Sequence, residues 1–223
     1  MNQMHIKYFE INENLENNSN TLLIVENKKM LYSMLNDLLS GNNYLEYFDI
    51  FDENLKKVKF TDVIDFIPSL LMLDINQKKN INLLIRNIKN NYFYEMHKET
   101  EYIKERITSI FNNIKLNINF DIISDVDFSE EDLMKEMNIS IFDGYLNILE
   151  RLTNYIKVIY ELRKVKCFIF YGLLEFLDEE DLKLLLLECK YMNIKVIDIE
   201  NGNNSSDFFD SIYILDKDLC LIK

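Results

Sequence analysis

The chain has 223 residues, of which 48% are hydrophobic and 13% aromatic, so it can bury a large core and global disorder is not expected. Its formal net charge of −13 disfavours both unspecific nucleic-acid binding and attachment to anionic membranes, although a local group of cations can still create a positive field. No segment has the run of roughly 18 apolar residues that a membrane helix needs, and no secretory signal is visible, so a cytoplasmic protein without a membrane partner is expected.

The first strong elements of the chain are a buried strand and a helix. Residues 22–25 form a continuous apolar run, which is typical of a parallel strand that is buried on both faces. Apolar residues then recur at helical spacing from Met30 to Leu39, and Gly41 stands where helices commonly end. Short strands or extended segments are predicted at residues 4–10, 44–51 and 57–60, and a hinge at residues 62–72.

The middle of the chain has the periodicity of long helices. Apolar side chains follow one helical face from residue 76 to about residue 96, and the pattern continues to residue 114. Ser129 and Asp132 have the spacing of a capping box, which predicts a helix from there through residue 137. A third amphipathic face covers residues 141–162. Together these patterns predict a helical leg.

The last third of the chain has the pattern of a βαβ unit. Residues 166–171 and 195–199 are apolar runs of strand length, and an acidic helix start at residues 176–183 leads into a leucine-rich helix between them. The predicted fold class is therefore α/β, with a mostly parallel sheet and an inserted α-helical leg domain. The predicted domains are a discontinuous α/β head, residues 1–65 and 163–223, and the leg, residues 66–162.

The signatures of several catalytic and cofactor sites are missing from the sequence. A phosphate-binding loop after the first strand needs glycines, but none precedes Gly41. The strand at residues 167–170 ends without the acid that would hold Mg²⁺. His5 and His97 are isolated, and the three cysteines have no metal-ligand spacing and are expected to be reduced core residues. Neither a nucleotide cofactor nor an enzymatic activity is therefore expected.

Acidic residues concentrate around the start of the helix predicted at residue 130. Asp125, Asp127 and Glu136 have the spacing of positions one, three and twelve of a calcium-binding loop. However, Glu130 stands at the position where that loop needs glycine. The same residues can instead be a solvated loop that leads into a capped helix. The candidate metal ligands are Asp121, Asp125, Asp127, Glu130 and Glu131.

A basic stretch stands out against the acidic composition. Residues 77–94 include four basic side chains and no acidic one, and their spacing places the four on one side of the predicted helix. Such a stripe can contact phosphates, or it can be a solvated helix face. The candidate DNA-binding residues are the members of this basic stripe, Lys78, Lys79, Arg86 and Lys89, and a weaker set formed by Lys135, Arg151, Arg163 and Lys164.

Four segments of the chain resemble one known family in their order and spacing. They are Thr21-Leu-Leu-Ile-Val-Glu26, Leu133-Met-Lys-Glu-Met137, the strand and helix start at residues 166–170 and 176–182, and Ile214-Leu-Asp-Lys-Asp218. The chain thereby resembles the CRISPR-associated adaptation protein of type II-A systems, the Csn2 family of DNA-end-binding ring proteins. The resemblance extends over nearly the whole chain.

The resemblance implies a non-catalytic protein whose head is similar to a P-loop ATPase sheet without the nucleotide site. It implies a homotetrameric ring that holds a free end of double-stranded DNA and whose legs are stabilised by calcium. It also implies a role in CRISPR spacer acquisition, which is part of an antiviral defence. The implied partners are spacer integrase proteins and the type II-A effector nuclease. Cations that point into a closed ring would face phosphates from several sides, so an acidic exterior does not prevent binding.

Two other functions remain open from the residues. An acidic scaffold or interaction module with a degenerate NTPase-like head would never contact DNA. A nuclease would use the carboxylates between residues 121 and 132. The DNA-end-binding ring is the leading interpretation, because it accounts for both the missing phosphate loop and the basic stripe.

Overall fold

A computed structural model describes residues 2–7, 11–42, 45–202 and 207–222. The chain divides into two compact units: unit 1 comprises Met1–Ile75 and Asp143–Lys223, and unit 2 comprises Asn76–Phe142. These bounds differ from those of the predicted head and leg. The helical segment after residue 143, which was predicted to be part of the leg, belongs to unit 1.

Unit 1 is built on two sheets. The strands of the described residues are β1 (Gln3–Ile6), β2 (Ile11–Asn14), β3 (Thr21–Val25), β4 (Phe48–Phe51), β5 (Ile64–Ile67), β6 (Cys167–Tyr171), β7 (Lys195–Glu200), β8 (Ser211–Leu215) and β9 (Leu221–Ile222). The larger sheet has the order β5-β6-β7-β3-β8-β9 and is parallel except for β9. The smaller sheet is antiparallel, with the order β2-β1-β4.

The helices of the described residues are α1 (Lys28–Ser40), α2 (Phe60–Val63), α3 (Lys78–Lys115), α4 (Glu130–Glu136), α5 (Ile148–Arg163), α6 (Leu173–Phe176) and α7 (Glu179–Tyr191), with a 3₁₀ turn at Leu70–Met72. The long helices lie where the sequence predicted them, although α5 begins seven residues later than its apolar pattern suggested, and the short helices α2 and α6 were not predicted. The side chain of Asn27 caps the start of α1, and Gly41 ends it in the left-handed conformation with φ 56°, as its position predicted. None of the helices in the described part of the chain combines the length and the hydrophobicity needed to cross a membrane.

Both faces of the larger sheet are covered. All five residues of β3 are buried, so the side chains that alternate between its two faces lie in apolar surroundings on either side. One face shares a core with Leu31, Met34 and Leu38 of α1 and with the inner side of the smaller sheet. Helix α5 packs against α7 and buries Leu152, Ile156 and Ile159 completely, which explains why it belongs to unit 1.

Strand β5 lies where the sequence predicted a hinge. It pairs in parallel with β6 at the edge of the larger sheet and contains only the four residues Ile-Asp-Phe-Ile. A strand this short has no clear alternation to identify it. Pro68, which suggested the hinge, comes directly after the strand has ended, where no ladder hydrogen bond is lost.

Unit 2 contains α3 and α4. Helix α3 has 38 residues, but the backbone of Tyr92 (φ −125°, ψ 25°) leaves the helical region and divides it into two segments. Helix α4 starts with the predicted capping box, in which Ser129 and Asp132 each bond the backbone N–H of the other. Beyond Tyr92 the long helix carries exposed apolar side chains, among them Tyr94, Tyr102, Ile110 and Ile114.

A buried charge connects the two sheets of unit 1. The Lys195 side chain on β7 is fully buried, and its Nζ lies 2.8 Å from the Glu13 carboxylate on β2. The same ammonium group donates to the backbone carbonyl of Ser19 at 2.9 Å and to Oδ1 of Asn17 at 3.2 Å. All three ammonium protons therefore have acceptors, which is the condition under which a charge can be buried without a large penalty.

Replacing Lys195 by methionine should lower the free energy of unfolding by about 3–5 kcal/mol, because Glu13 then stays buried without its counter-charge. The loss is measured by denaturant unfolding followed by circular dichroism. The control variant is Lys166→Met, at an exposed lysine just before β6, with an expected change within about 0.5 kcal/mol. Equal unfolding midpoints for the two variants would show that the buried ammonium group does not connect the sheets.

Candidate nucleic-acid interface

The basic stripe lies on the first turns of α3. Lys78, Lys79 and Arg86 are exposed, whereas Lys89 is half-buried. The first turn of the helix contains no acidic residue, so its positive dipole end adds to the field of these side chains. The stripe is therefore a local positive surface on a protein with a strongly negative net charge.

Helix α4 lies against α3 and runs in the opposite direction. At one end the side chain of Asn76 accepts from the backbone N–H of Ile141 at 2.7 Å and donates to its carbonyl at 2.9 Å. At the other end Nδ1 of His97 is 2.8 Å from the Glu130 carboxylate, and the His97 ring stacks on Phe93. The hydrogen bond with His97 holds the pKa of Glu130 below its usual value.

The two helices enclose an open groove of about 890 Å³, here called the α3–α4 groove. Its cationic lining consists of Lys78, Lys79 and Arg86 from α3 and Lys135 from α4, and Glu131 is the carboxylate among its lining residues. The structure thus brings Lys135, which the sequence placed in a weaker set, next to three members of the basic stripe.

The two arginines of the weaker candidate set lie in unit 1 and are held in internal ion pairs. Arg163 is only 11% exposed and binds the carboxylate of Asp65, while it also donates to the backbone carbonyl of Thr61. Arg151 binds Asp143 at 3.1 Å and donates to a backbone carbonyl at 2.6 Å. These guanidinium groups connect elements of the fold and have few donors left for a ligand.

The remaining candidate cation is Lys164. It is exposed, ends α5 in the left-handed conformation and pairs with Glu161 at 3.0 Å. Exposed pairs of this kind contribute little to stability, so its ammonium group is accessible to other anions. Lys164 belongs to unit 1, and the basic stripe belongs to unit 2.

The five candidate metal ligands do not form a cage. Asp121, Asp125 and Asp127 are exposed on a segment without regular structure. Glu130 pairs with His97, and Glu131 lines the α3–α4 groove. Within the described ranges, no three His, Cys, Asp or Glu residues lie close enough together to hold a metal ion. This arrangement does not supply the six or more oxygen ligands that calcium prefers, and the calcium requirement stays a prediction.

The carboxyl end of the larger sheet carries a buried acid pair that the sequence analysis missed. Asp198 and Glu200 on β7 accept from the backbone N–H groups of Leu173 and Leu174 at 3.2 Å and 2.8 Å. The signal in the sequence was two acids, two positions apart, in an otherwise apolar strand, which places both on one face.

Burial raises the pKa of Asp198 well above its usual value, and the neighbouring Glu200 adds to the shift. Burial also raises the pKa of Glu200. Oδ2 of Asp198 is buried without a hydrogen-bond partner among the described groups, an environment that favours the protonated form of this carboxyl.

Comparison with known proteins identifies the family and the fold. A family model described as CRISPR-associated protein (Cas_Csn2) matches residues 40–219. A search of the curated proteins found no significant match. Among solved structures, CbiO1 from Clostridium perfringens, part of the ABC transporter complex CbiONQ, is 12% identical, with 97% of this chain and 84% of that chain covered and a TM-score of 0.53. A putative ABC transporter ATP-binding protein from Pyrococcus furiosus is 11% identical, with 96% of each chain covered and a TM-score of 0.43.

At such low identity the similarity to CbiO1 concerns the fold alone. The mostly parallel sheet with helices on both faces is that of an ATP-binding-cassette P-loop ATPase, which confirms the predicted fold class. The family match extends over 180 of the 223 residues, counted from residue 40 to residue 219.

The acid pair on β7 should make stability depend on pH. Both carboxyls bind protons more tightly in the folded than in the unfolded chain, so the free energy of unfolding falls as pH rises above the usual carboxyl pKa of about 4. Asp198→Asn keeps the shape of the side chain and cannot ionise. Its stability should therefore fall less with rising pH than that of the parent, by up to about 1.4 kcal/mol per pH unit.

The measurement is denaturant unfolding of both proteins at several pH values between about 5 and 8, a window chosen above the usual carboxyl pKa. Glu180→Gln, at an exposed position of α7, is the control and should follow the parent. Parallel pH profiles for the parent and for Asp198→Asn would show that Asp198 carries no extra proton.

Proposed function

Because the chain belongs to the Csn2 family of CRISPR-associated proteins, we propose that it binds free ends of double-stranded DNA during spacer acquisition and catalyses no reaction. The observation that supports this function is the concentration of cations on the first turns of α3 and on the facing helix α4. Duplex DNA carries one charge about every 1.7 Å, so a stripe of lysines and arginines binds it by releasing condensed counterions, without reading its sequence.

The proposed phosphate-contacting residues are Lys78, Lys79, Arg86, Lys89 and Lys135. The first three and Lys135 line one groove, and Lys89 continues the stripe along α3. Arg151 and Arg163 are left out, because their donors already serve carboxylates and backbone carbonyls of unit 1. Lys164 is exposed but belongs to the other unit, so it is not part of this surface.

The proposed assembly is a homotetrameric ring. Its support is the second segment of α3, where large apolar side chains such as Tyr94, Ile110 and Ile114 are exposed in the single chain. Large apolar side chains exposed in such number are typical of an interface with another protein, and symmetric self-association is the commonest way of covering them. A closed ring would also place several basic stripes around one duplex.

The absence of catalysis is proposed from the carboxyl end of the sheet, where a P-loop ATPase binds phosphates. Val25 leads through Glu26 directly into the capped start of α1, and no glycine of the sequence precedes Gly41. The proposed partners in the cytoplasm are the spacer integrase proteins and the type II-A effector nuclease. An acidic scaffold that does not bind DNA is the alternative, and the strongly negative net charge favours it.

Binding should require a free end. A linear duplex should be retarded in a native gel at low salt, whereas a covalently closed circle of the same sequence should not, because only an end can thread into a closed ring. The affinity should fall steeply with salt concentration and should not depend on sequence. Equal retardation of the two forms would exclude threading, and no retardation of either would favour the scaffold function.

Reversing charges on the basic stripe should abolish duplex binding. In the double variant Lys79→Glu, Arg86→Glu, each lost phosphate contact should lower the slope of log affinity against log salt by about 0.9. Fluorescence anisotropy with linear duplex at several salt concentrations measures this slope.

The matched control reverses Lys29 and Lys183, two exposed lysines of α1 and α7 in unit 1, which changes the net charge by the same amount. This control should bind like the parent. Similar losses in the two double variants would show that overall charge, and not the position of the stripe, determines DNA binding.

A further inference from the structure

The α3–α4 groove is too narrow for a duplex. Lys79 and Arg86 are seven residues apart, which corresponds to about 10.5 Å along the helix axis. Two helices packed side by side have axes only about 8–10 Å apart, so the groove between α3 and α4 is narrower than a duplex. The major groove of B-DNA alone is about 12 Å wide, so the whole duplex cannot enter. A duplex can contact the cations only from outside, whereas a single strand can lie between the helices.

The chemistry of the groove also matches an unpaired strand. Its two sides carry cations that could follow a sugar–phosphate backbone: Lys78, Lys79 and Arg86 on α3, and Lys135 on α4. Lys135 ion-pairs weakly with Asp132 at 3.6 Å on the exposed surface, and such a pair exchanges readily for a phosphate.

The base of the groove is apolar. Ile85 and Met134 are almost completely buried there, and Ile81 and Ile139 are half-buried beside them. Aliphatic side chains pack against the flat face of a base or against a sugar without reading hydrogen-bonding edges. Paired bases hide these faces in the stack, whereas unpaired bases expose them.

We infer that the α3–α4 groove binds the unpaired nucleotides of a single-stranded extension at the DNA end. This inference rests on the proposed function, since the extension enters the groove as the continuation of a bound duplex. At 3.4 Å of rise per nucleotide, about three nucleotides span the distance from Lys79 to Arg86. The aliphatic base of the groove makes the binding independent of sequence.

The test compares three DNA ends on the same duplex: blunt, with a 3′ extension of three thymidines, and with a 5′ extension of three thymidines. Affinities are measured by fluorescence anisotropy at constant salt. An extension of at least one polarity should tighten binding about fivefold to tenfold, the lower end of the range for a base stacked on an aromatic side chain, because aliphatic contacts are weaker.

A substitution that fills the groove distinguishes its occupation from simple charge attraction. Asn82 lines the groove on α3 and is exposed, so Asn82→Trp would obstruct it and leave all four cations in place. This variant should lose the gain from the extension and bind the blunt duplex like the parent. Asn90→Trp, at an exposed position two turns further along α3 and outside the lining, is the control and should retain both affinities. Lys135→Gln should reduce the gain from the extension more than it weakens blunt-end binding.

The possible results are distinguishable. A gain that Asn82→Trp removes and Asn90→Trp preserves supports the inference. Equal affinity of the parent for all three ends, or a gain that Asn82→Trp leaves unchanged, overturns the inference while the proposed function stands. Failure of the parent to bind any of the three DNAs refutes the proposed function itself.

Discussion

Unit 1 depends on the burial of one ammonium group. Lys195 lies in the middle of the larger sheet, and its partners come from β2 and from the loop that leads into β3. Glu13 and Lys195 are separated by most of the sequence, so they meet only when the parts of unit 1 before and after unit 2 come together. Because a buried ammonium group is costly unless these partners are in place, it favours a single arrangement of the two sheets over other compact packings.

The carboxyl end of the larger sheet is acidic, whereas a phosphate-binding site is electropositive. In a P-loop ATPase, backbone N–H groups at this end of the sheet bind phosphate oxygens. Here the N–H groups of Leu173 and Leu174, which follow β6, are occupied by the protein's own carboxyls, Asp198 and Glu200. The fold similarity to ATP-binding cassettes therefore describes how the chain packs, and function has to be argued from the side chains of unit 2.

The sequence predicted those features that depend on local periodicity. The buried strand β3, helix α1 with its Gly41 end, and the capping box of α4 were all recognisable, because each is determined by residues a few positions apart. The assignment of α5 to unit 1 was not predicted, since an apolar helix face does not identify what it packs against. The basic stripe was located correctly on its helix, but its proximity to Lys135 depends on two contacts between distant residues, Asn76 with Ile141 and His97 with Glu130. The ion pair of Arg163 with Asp65 was not predicted, because Asp65 lies in the short strand β5, which the sequence did not reveal.

The interruption of α3 at Tyr92 affects which part of unit 2 unfolds locally. The non-helical backbone of Tyr92 weakens the coupling between the segment before it and the segment after it, so the two can fray separately. The first segment is held against α4, and its amide protons should be shielded from solvent exchange by that packing. The second segment is tied to α4 near its start by the His97–Glu130 pair, and its later turns carry much of their apolar surface outward, so those turns can unwind while the first segment stays in place. Covering its apolar side chains would therefore slow amide exchange there selectively, while the groove-forming segment keeps the same exchange rates.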